Sequence, residues 1–333
     1  MNVAMWGAAI RTIPRIDKAE WDRLDIISRW LIAGRASVLV ITFIPCAMVG
    51  LLALRSDQFD LGLWLLVTAG LLMAHATNNF LNDITDYARG LDRENYFRAQ
   101  YGPQQLEHGL LRMRGAIAYT AVTGAVALAA GAVLVAERGL PALALLGAGA
   151  FFVLFYTWPL KYIGLGELAV VIVWGPLMIW GGYFIVTGDW SNEVLIASIP
   201  YGLGATTVIF GKHIDKLRGD KEKGIHTLPV FIGETAARNA VIALFVLQYV
   251  LVGFLVAARM FTPALLVVVL ALPTLKKVLP TYRRNRPLEC PERYPRRLWP
   301  LWFVALAFMH NRQFGGLFLA GLAADTAIER LVL

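Results

Sequence analysis

Residues 78–92 read Asn-Asn-Phe-Leu-Asn-Asp-Ile-Thr-Asp-Tyr-Ala-Arg-Gly-Leu-Asp, directly after an apolar run, Leu61 to Ala76, without one acid, Lys or Arg. Carboxylates are costly at the mouth of a membrane helix, so their presence there marks a site. On a helix continuing to Asp86, the residues Asn79, Asp83 and Asp86 stand at i, i+4 and i+7 on one face. Asn82 and Asp86 form a second pair on the adjoining stripe. Gly90 permits a turn that brings Asp92 back toward the cluster. Such oxygen donors suit Mg²⁺, which takes a few carboxylates and completes its shell with phosphate oxygens and water. The bland alternative is a solvated helix end. His75, one turn before Asn79, reads as a helix-packing residue, because Mg²⁺ prefers oxygen.

Outward from this stretch the chain is 58% hydrophobic and 16% charged over 333 residues. Soluble domains carry about 25% charged residues, so the expectation is an all-α, multi-pass membrane protein. A span needs about 20 mostly apolar residues, and nine stretches meet that: 31–54, 60–82, 115–136, 140–158, 165–187, 194–212, 239–258, 260–280 and 299–323. On this layout 25 of the 31 Lys and Arg fall on the side of the amino terminus and 4 on the opposite side. That bias predicts a cytoplasmic amino terminus. The net charge of +8 then faces anionic lipid, and nucleic acid is not expected as a partner. Cys46 and Cys290 make neither a disulfide framework nor a zinc pattern. Residues 1–30 lack a signal-peptide core and are expected to lie at the cytoplasmic interface, ahead of a transmembrane domain over 31–333.

The second polar stretch, 211–230, lies on the same side: Gly-Lys-His-Ile-Asp-Lys-Leu-Arg-Gly-Asp-Lys-Glu-Lys-Gly-Ile-His-Thr-Leu-Pro-Val. Asp215 and Asp220 sit among Lys212, Lys216, Arg218, Lys221 and Lys223. Acids alone suggest metal and bases alone suggest phosphate. The mixture, opposite a second acidic cluster, points to a metal–diphosphate complex in which cations take the oxygens the metal leaves free. Arg35 inside the first span either snorkels to the interface or faces a cavity to contact phosphate. Tyr156 and Lys161 close the fourth span, and Lys161 is the single charge of its short loop, which favours a role in the site. Phe151, Phe152, Phe155, Trp158, Trp174, Trp180 and Tyr183 face lipid or core on base rates, with room for a few to line an apolar tunnel for an isoprenoid tail. His310, Asn311 and Arg312 within the ninth stretch fit interhelical hydrogen bonds as well as catalysis.

These residues resemble the UbiA superfamily of intramembrane prenyltransferases, and within it the branch acting on 1,4-dihydroxy-2-naphthoate in menaquinone synthesis. Asn82, Asp83, Asp86, Gly90 and Asp92 look like its first motif. Arg35, Pro45 and Gly50 are similar to its first-span signature, with Ala36 where a proline is usual. Tyr156, Pro159, Leu160, Tyr162, Gly164, Leu165, Gly166 and Glu167 look like its fourth-to-fifth span segment. Asp220, Gly224, Thr227 and Leu228 match the close of its second acidic motif. The family usually has an acid four residues before Asp220, and here that residue is Lys216. Asp215, five before, points about 140° away on a continuous helix. Either Gly219 bulges the chain and restores convergence, or Asp215 is structural.

The resemblance implies nine helices around a central cavity, with the active site facing the cytoplasm of a bacterial inner membrane. It implies a polyprenyl diphosphate held through Mg²⁺ by Asn82, Asp86, Asp92 and Asp220, with Lys161, Arg35 and Arg218 assisting, and an aromatic acceptor attacking the allylic group. Asn79, Lys212 and Tyr156 complete the expected contacts with substrate, and Asp83 and Asp215 the expected metal donors. Membrane lipid is the remaining partner. Two other classes compete. Phosphatidyl transfer from a CDP-lipid also uses clustered aspartates, but on one longer motif with fewer spans. A transporter places charge near the bilayer midplane, where only His310 and Arg312 fit.

Overall fold

The computed structural model describes residues 2–91, 102–296 and 298–332. Its elements are α1 (Val3–Arg11), α2 (Lys18–Arg23), α3 (Ile26–Ala33), α4 (Val40–Arg55), α5 (Leu61–Ala88), α6 (Met113–Arg138), α7 (Leu140–Phe155), α8 (Gly166–Thr187), α9 (Asn192–Glu222), α10 (Leu228–Ile232), α11 (Glu234–Ala257), α12 (Pro263–Tyr282) and α13 (Phe303–Val332). Among the described residues there is no sheet, only an isolated backbone bridge between Ile163 and His226. Helices α5, α6, α8, α9, α11 and α12 are long and apolar enough to cross a membrane. Helices α4 and α7 are apolar but shorter.

The stretch expected as the first span, 31–54, is broken. Helix α3 stops at Ala33, Arg35 adopts a left-handed backbone with φ 56°, and α4 begins at Val40. A non-glycine residue seldom takes that conformation, and hydropathy carries no trace of it. Side chains hold the break open: Gln105 Nε2 donates to Ala33 O at 2.7 Å and Asn79 Nδ2 to Gly34 O at 2.9 Å. These occupy carbonyls that the end of a helix leaves without a partner.

Two helix ends frame the polar face. Helix α5 starts on an Asp60 cap, which accepts from Leu63 N at 2.9 Å, and runs unbroken to Ala88. It closes with Gly90 N donating to Tyr87 O and Leu91 N to Asp86 O, Gly90 taking φ 69°. Helix α9 closes the same way, with Gly224 N donating to Lys221 O, Ile225 N to Asp220 O, and Gly224 at φ 68°. Both are Schellman ends, in which glycine supplies the left-handed residue. Asp86 and Asp220 therefore occupy the same position, four residues before the closing glycine of their helices. The carbonyl ends of both helices carry partial negative charge, which favours cations beside the two carboxylates.

Helix α9 is the spine. A Cβ at Gly202 would stand 2.8 Å from Val171 O and 3.0 Å from the Cα of Gly175, so glycine lets α9 and α8 touch backbone to backbone. Within α8 the turns over Val173–Trp180 widen to a π-helix around Pro176, which has no N–H to give. Further along, a Cβ at Gly211 would meet Val304 N at 2.8 Å and Phe303 C at 2.9 Å. Backbone cannot yield as a flexible side chain does, so Gly211→Ala is expected to cost about 1–3 kcal/mol, read as a lower unfolding temperature of the purified protein. Gly219, with nothing within 4 Å of its Cβ position, is the control: Gly219→Ala should be neutral or stabilising, since alanine is the better helix former.

The core has two main clusters, one around Met48, Tyr201, Phe314 and Phe318, the other around Phe245, Tyr282 and Phe303. The amino-terminal helices join the body through a third, where Ala9, Trp21 and Ile32 pack with Phe80 and Leu110.

Candidate active site

A cavity of about 1010 Å³ runs between α5, α6, α7, α8 and α9. On α5 its lining extends from Asp86 back to Val67, nineteen residues, or about 28 Å along a helix rising 1.5 Å per residue. One end is charged, with Arg35, Asp86, Lys161, Lys212, Lys216 and Asp220 on its wall. The other is apolar, with Val67, Leu71, Leu134, Leu145, Leu146 and Ile185. Exclusion of water along such a wall strengthens every electrostatic contact at the charged end.

Both carboxylates on that wall are paired with lysines. Lys161 Nζ lies 3.2 Å from Asp86 Oδ1, and Lys216 Nζ lies 3.2 Å from Asp220 Oδ1. Asp86 is 7% exposed and Asp220 3%, so each pair is withdrawn from bulk solvent but opens on the cavity. Lys161 is carried by a tight turn after α7, which packs closely on its neighbours: the Arg89 guanidinium lies 5.1 Å from the Trp158 ring centroid and 5.0 Å from that of Tyr162. The Ile163–His226 bridge ties this turn to the segment after α9. Lys223 Nζ donates to Leu91 O at 2.7 Å, which ties the end of α9 to the end of α5. The two polar stretches of the sequence thus meet at one mouth.

Asn82 lines the cavity and accepts from Thr157 Oγ1 at 3.4 Å. Asn79 also lines it, with its amide holding Gly34. Tyr156, Lys161, Lys212 and Arg35 are all on the wall. Asp92 lies outside the described residues.

Three expectations are corrected. The Asp215 carboxylate, expected as a metal donor, is off the cavity lining and bonded to backbone: its Oδ1 accepts from Phe303 N at 3.0 Å, and its Oδ2 from Trp302 N at 2.9 Å and Val304 N at 3.0 Å. It caps the start of α13, and α9 passes through Gly219 as continuous helix without a bulge. Asp83 is turned to the α3–α4 break, where it is ion-paired with Arg35 and buried, off the cavity wall. Arg218 is exposed and not part of the lining. Among the described residues, no group of three His, Cys, Asp or Glu is close enough to hold a metal by itself.

The sequence reading also missed a pair. His213 Nδ1 lies 2.7 Å from Glu167 Oε1, with both side chains 2% exposed, and His213 lines the cavity. The available signal was helical spacing: His213 is three residues before Lys216 and seven before Asp220, on their face of α9.

The UbiA prenyltransferase family profile matches residues 43–311. The chain belongs to this family. It is an integral membrane prenyltransferase, as its apolar helices and this membership together require. It is 26% identical over 275 residues to the UbiA prenyltransferase domain-containing protein 1 of Danio rerio, covering 80% of each chain. It is 28% identical over 218 residues to the 1,4-dihydroxy-2-naphthoate octaprenyltransferase of Escherichia coli (strain K12), covering 63% of this chain and 70% of that one. The fold of this prenyltransferase is shared with a UbiA homolog from Aeropyrum pernix K1, with a TM-score of 0.58 and 22% identity over 88% of this chain and 96% of that one. It is shared also with a UbiA homolog from Archaeoglobus fulgidus bound to GPP and Mg²⁺, with a TM-score of 0.53 and 15% identity over 87% and 99%.

Proposed function

We propose that this prenyltransferase moves a polyprenyl group from its diphosphate to an electron-rich aromatic acceptor of the dihydroxynaphthoate, quinone-precursor type. The observation that carries the reading is the cavity itself: it extends about 28 Å along α5, one end bears two carboxylates and several cations, and the rest is mostly apolar. A diphosphate fits the first and its isoprenoid tail the second.

The donors at the charged end fit Mg²⁺. Asp86, Asp220 and the amide oxygen of Asn82 are hard oxygen ligands, and Mg²⁺ is satisfied by one or two carboxylates plus phosphate oxygens and water. A third protein acid is therefore not required. When bound, the ion neutralises charge on the departing diphosphate. Lys161, Lys216, Lys212 and Arg35 orient the remaining phosphate oxygens, and the apolar wall keeps water from the allylic centre. Lys216 stands where the family usually has an acid, which shifts part of the neutralisation from metal to ammonium.

In the membrane, α4, α7 and α13 complete the six longer helices to nine spans, with the charged mouth on the cytoplasmic face of a bacterial inner membrane, as the Lys and Arg distribution favours. Residues 11–15, at and just after the end of α1, join the cavity lining. Turnover of a prenyl diphosphate by purified protein is expected to vanish in EDTA. Mg²⁺ or Mn²⁺ should restore it and Zn²⁺ should do so poorly, since all-oxygen sites favour hard cations. Undiminished turnover after thorough chelation would rule the reading out.

A further inference from the structure

We propose that His213, oriented by Glu167, is the catalytic base that takes the hydroxyl proton of the aromatic acceptor. This rests on the prenyl-transfer reading above and names a residue for its second half.

The geometry is that of an oriented imidazole. The 2.7 Å contact from Nδ1 to Glu167 Oε1 fixes the ring's orientation, and in the tautomer that carries its hydrogen on Nδ1 the other nitrogen, Nε2, is the proton acceptor. Nε2 has no hydrogen-bond partner among the described residues, although the ring is buried and lines the cavity. A buried ring nitrogen left unpaired is costly to the fold. One nitrogen bonded to a carboxylate and the other without a partner, on a ring that lines the cavity, is an arrangement that suits a general base.

Its position suits the step. A Cβ at Gly166 would stand 3.8 Å from His213 Cε1, 3.8 Å from Tyr156 Cε2 and 3.5 Å from the Cα of Lys161. The imidazole is therefore beside the turn that carries the Asp86-paired lysine, where the diphosphate end of the donor is expected. His75 also lines the cavity, but it lies eleven residues before Asp86, about 16 Å further down α5, and its Nδ1 is bonded to Thr42 Oγ1 at 2.7 Å.

The step balances. The acceptor O–H bond breaks and its proton passes to Nε2, leaving an aryloxide. The ring carbon forms the new C–C bond to C1 of the prenyl group while the C1–O bond breaks, its electron pair leaving with diphosphate. An acceptor with hydrogen at that carbon then loses the ring proton and regains one at oxygen, and the imidazolium releases its proton to solvent. One proton is released per transfer.

The test compares two hydroxyaromatic acceptors of one skeleton, one un-ionised at the assay pH and one fluorinated beside the hydroxyl so that it is already ionised. His213→Ala is expected to lose about 10²-fold or more with the first acceptor, and less than about tenfold with the second. The KM for prenyl diphosphate should stay near that of the wild type, and Glu167→Gln should show the same acceptor dependence with a smaller loss. Each ratio is taken within one preparation, so a smaller folded fraction cancels; if His213→Ala does not fold, His213→Gln carries the same comparison. Equal losses with both acceptors, or no loss, would overturn the assignment. Absence of transfer by the wild type to either acceptor would instead sink the prenyl-transfer reading, and this inference with it.

Discussion

Asp86→Ala and Asp220→Ala are each expected to lower prenyl transfer by about 10²- to 10³-fold, the scale of losing one preorganised electrostatic contact at a developing charge, while the protein still inserts and purifies. The two residues hold the same place in two Schellman-closed helix ends, both on the wall of one cavity. Each is paired with one lysine at 3.2 Å. Removing either carboxylate deletes a proposed metal donor and frees the lysine paired with it. Asp86→Asn and Asp220→Asn keep the shape and lose the charge, so losses of similar size are expected if charge is what the site uses. The measurement is kcat/KM for the prenyl diphosphate at saturating acceptor. Full activity in either alanine variant, with normal expression, would remove the two-sided site.

The second large effect is on stability. Asp215→Ala leaves three backbone N–H groups at the start of α13 without their acceptor. Loss of a helix cap costs up to about 2 kcal/mol, and unpaired buried donors add to it. A loss of at least about 2 kcal/mol is therefore expected, seen as a marked fall in unfolding temperature. Asp215→Asn keeps one oxygen as acceptor and should fold. Its activity as a function of Mg²⁺ should be unshifted, whereas Asp220→Asn should need at least about tenfold more metal, because even outer-shell losses cost about 10- to 100-fold. An unchanged melting temperature for Asp215→Ala, or a shifted Mg²⁺ curve for Asp215→Asn, would return Asp215 to the metal.

What the sequence made legible was local. Charge-free runs gave the helices, and Gly90 marked the turn after Asp86; Asp220 and Gly224 were legible only as a family motif on a polar stretch, where the structure continues α9 to Glu222. The first two readings rest on the period and termination of single helices, which neighbouring residues fix. What escaped was choice of partner across long separations. Asp215 finds its donors some 87 to 89 residues away, and its divergence from Asp220 on a straight helix was visible only as an unresolved alternative. Asp83 shares a helical face with Asn79 and Asp86, yet Arg35, 48 residues distant, takes it from the cavity. His213 and Glu167, 46 apart, meet only because α8 and α9 pack at glycines. The left-handed Arg35 that splits the first apolar run belongs to the same class: its conformation is held by Asn79 and Gln105 around it, and not by its own type.

The most direct test of the account combines purified protein in lipid with Mg²⁺, a radiolabelled polyprenyl diphosphate and a panel of hydroxyaromatic acceptors. The expected result is one labelled, prenylated acceptor formed with stoichiometric diphosphate, absent in EDTA and in Asp86→Ala. An intact prenyl diphosphate with every acceptor, or its conversion only to the free alcohol, would contradict it.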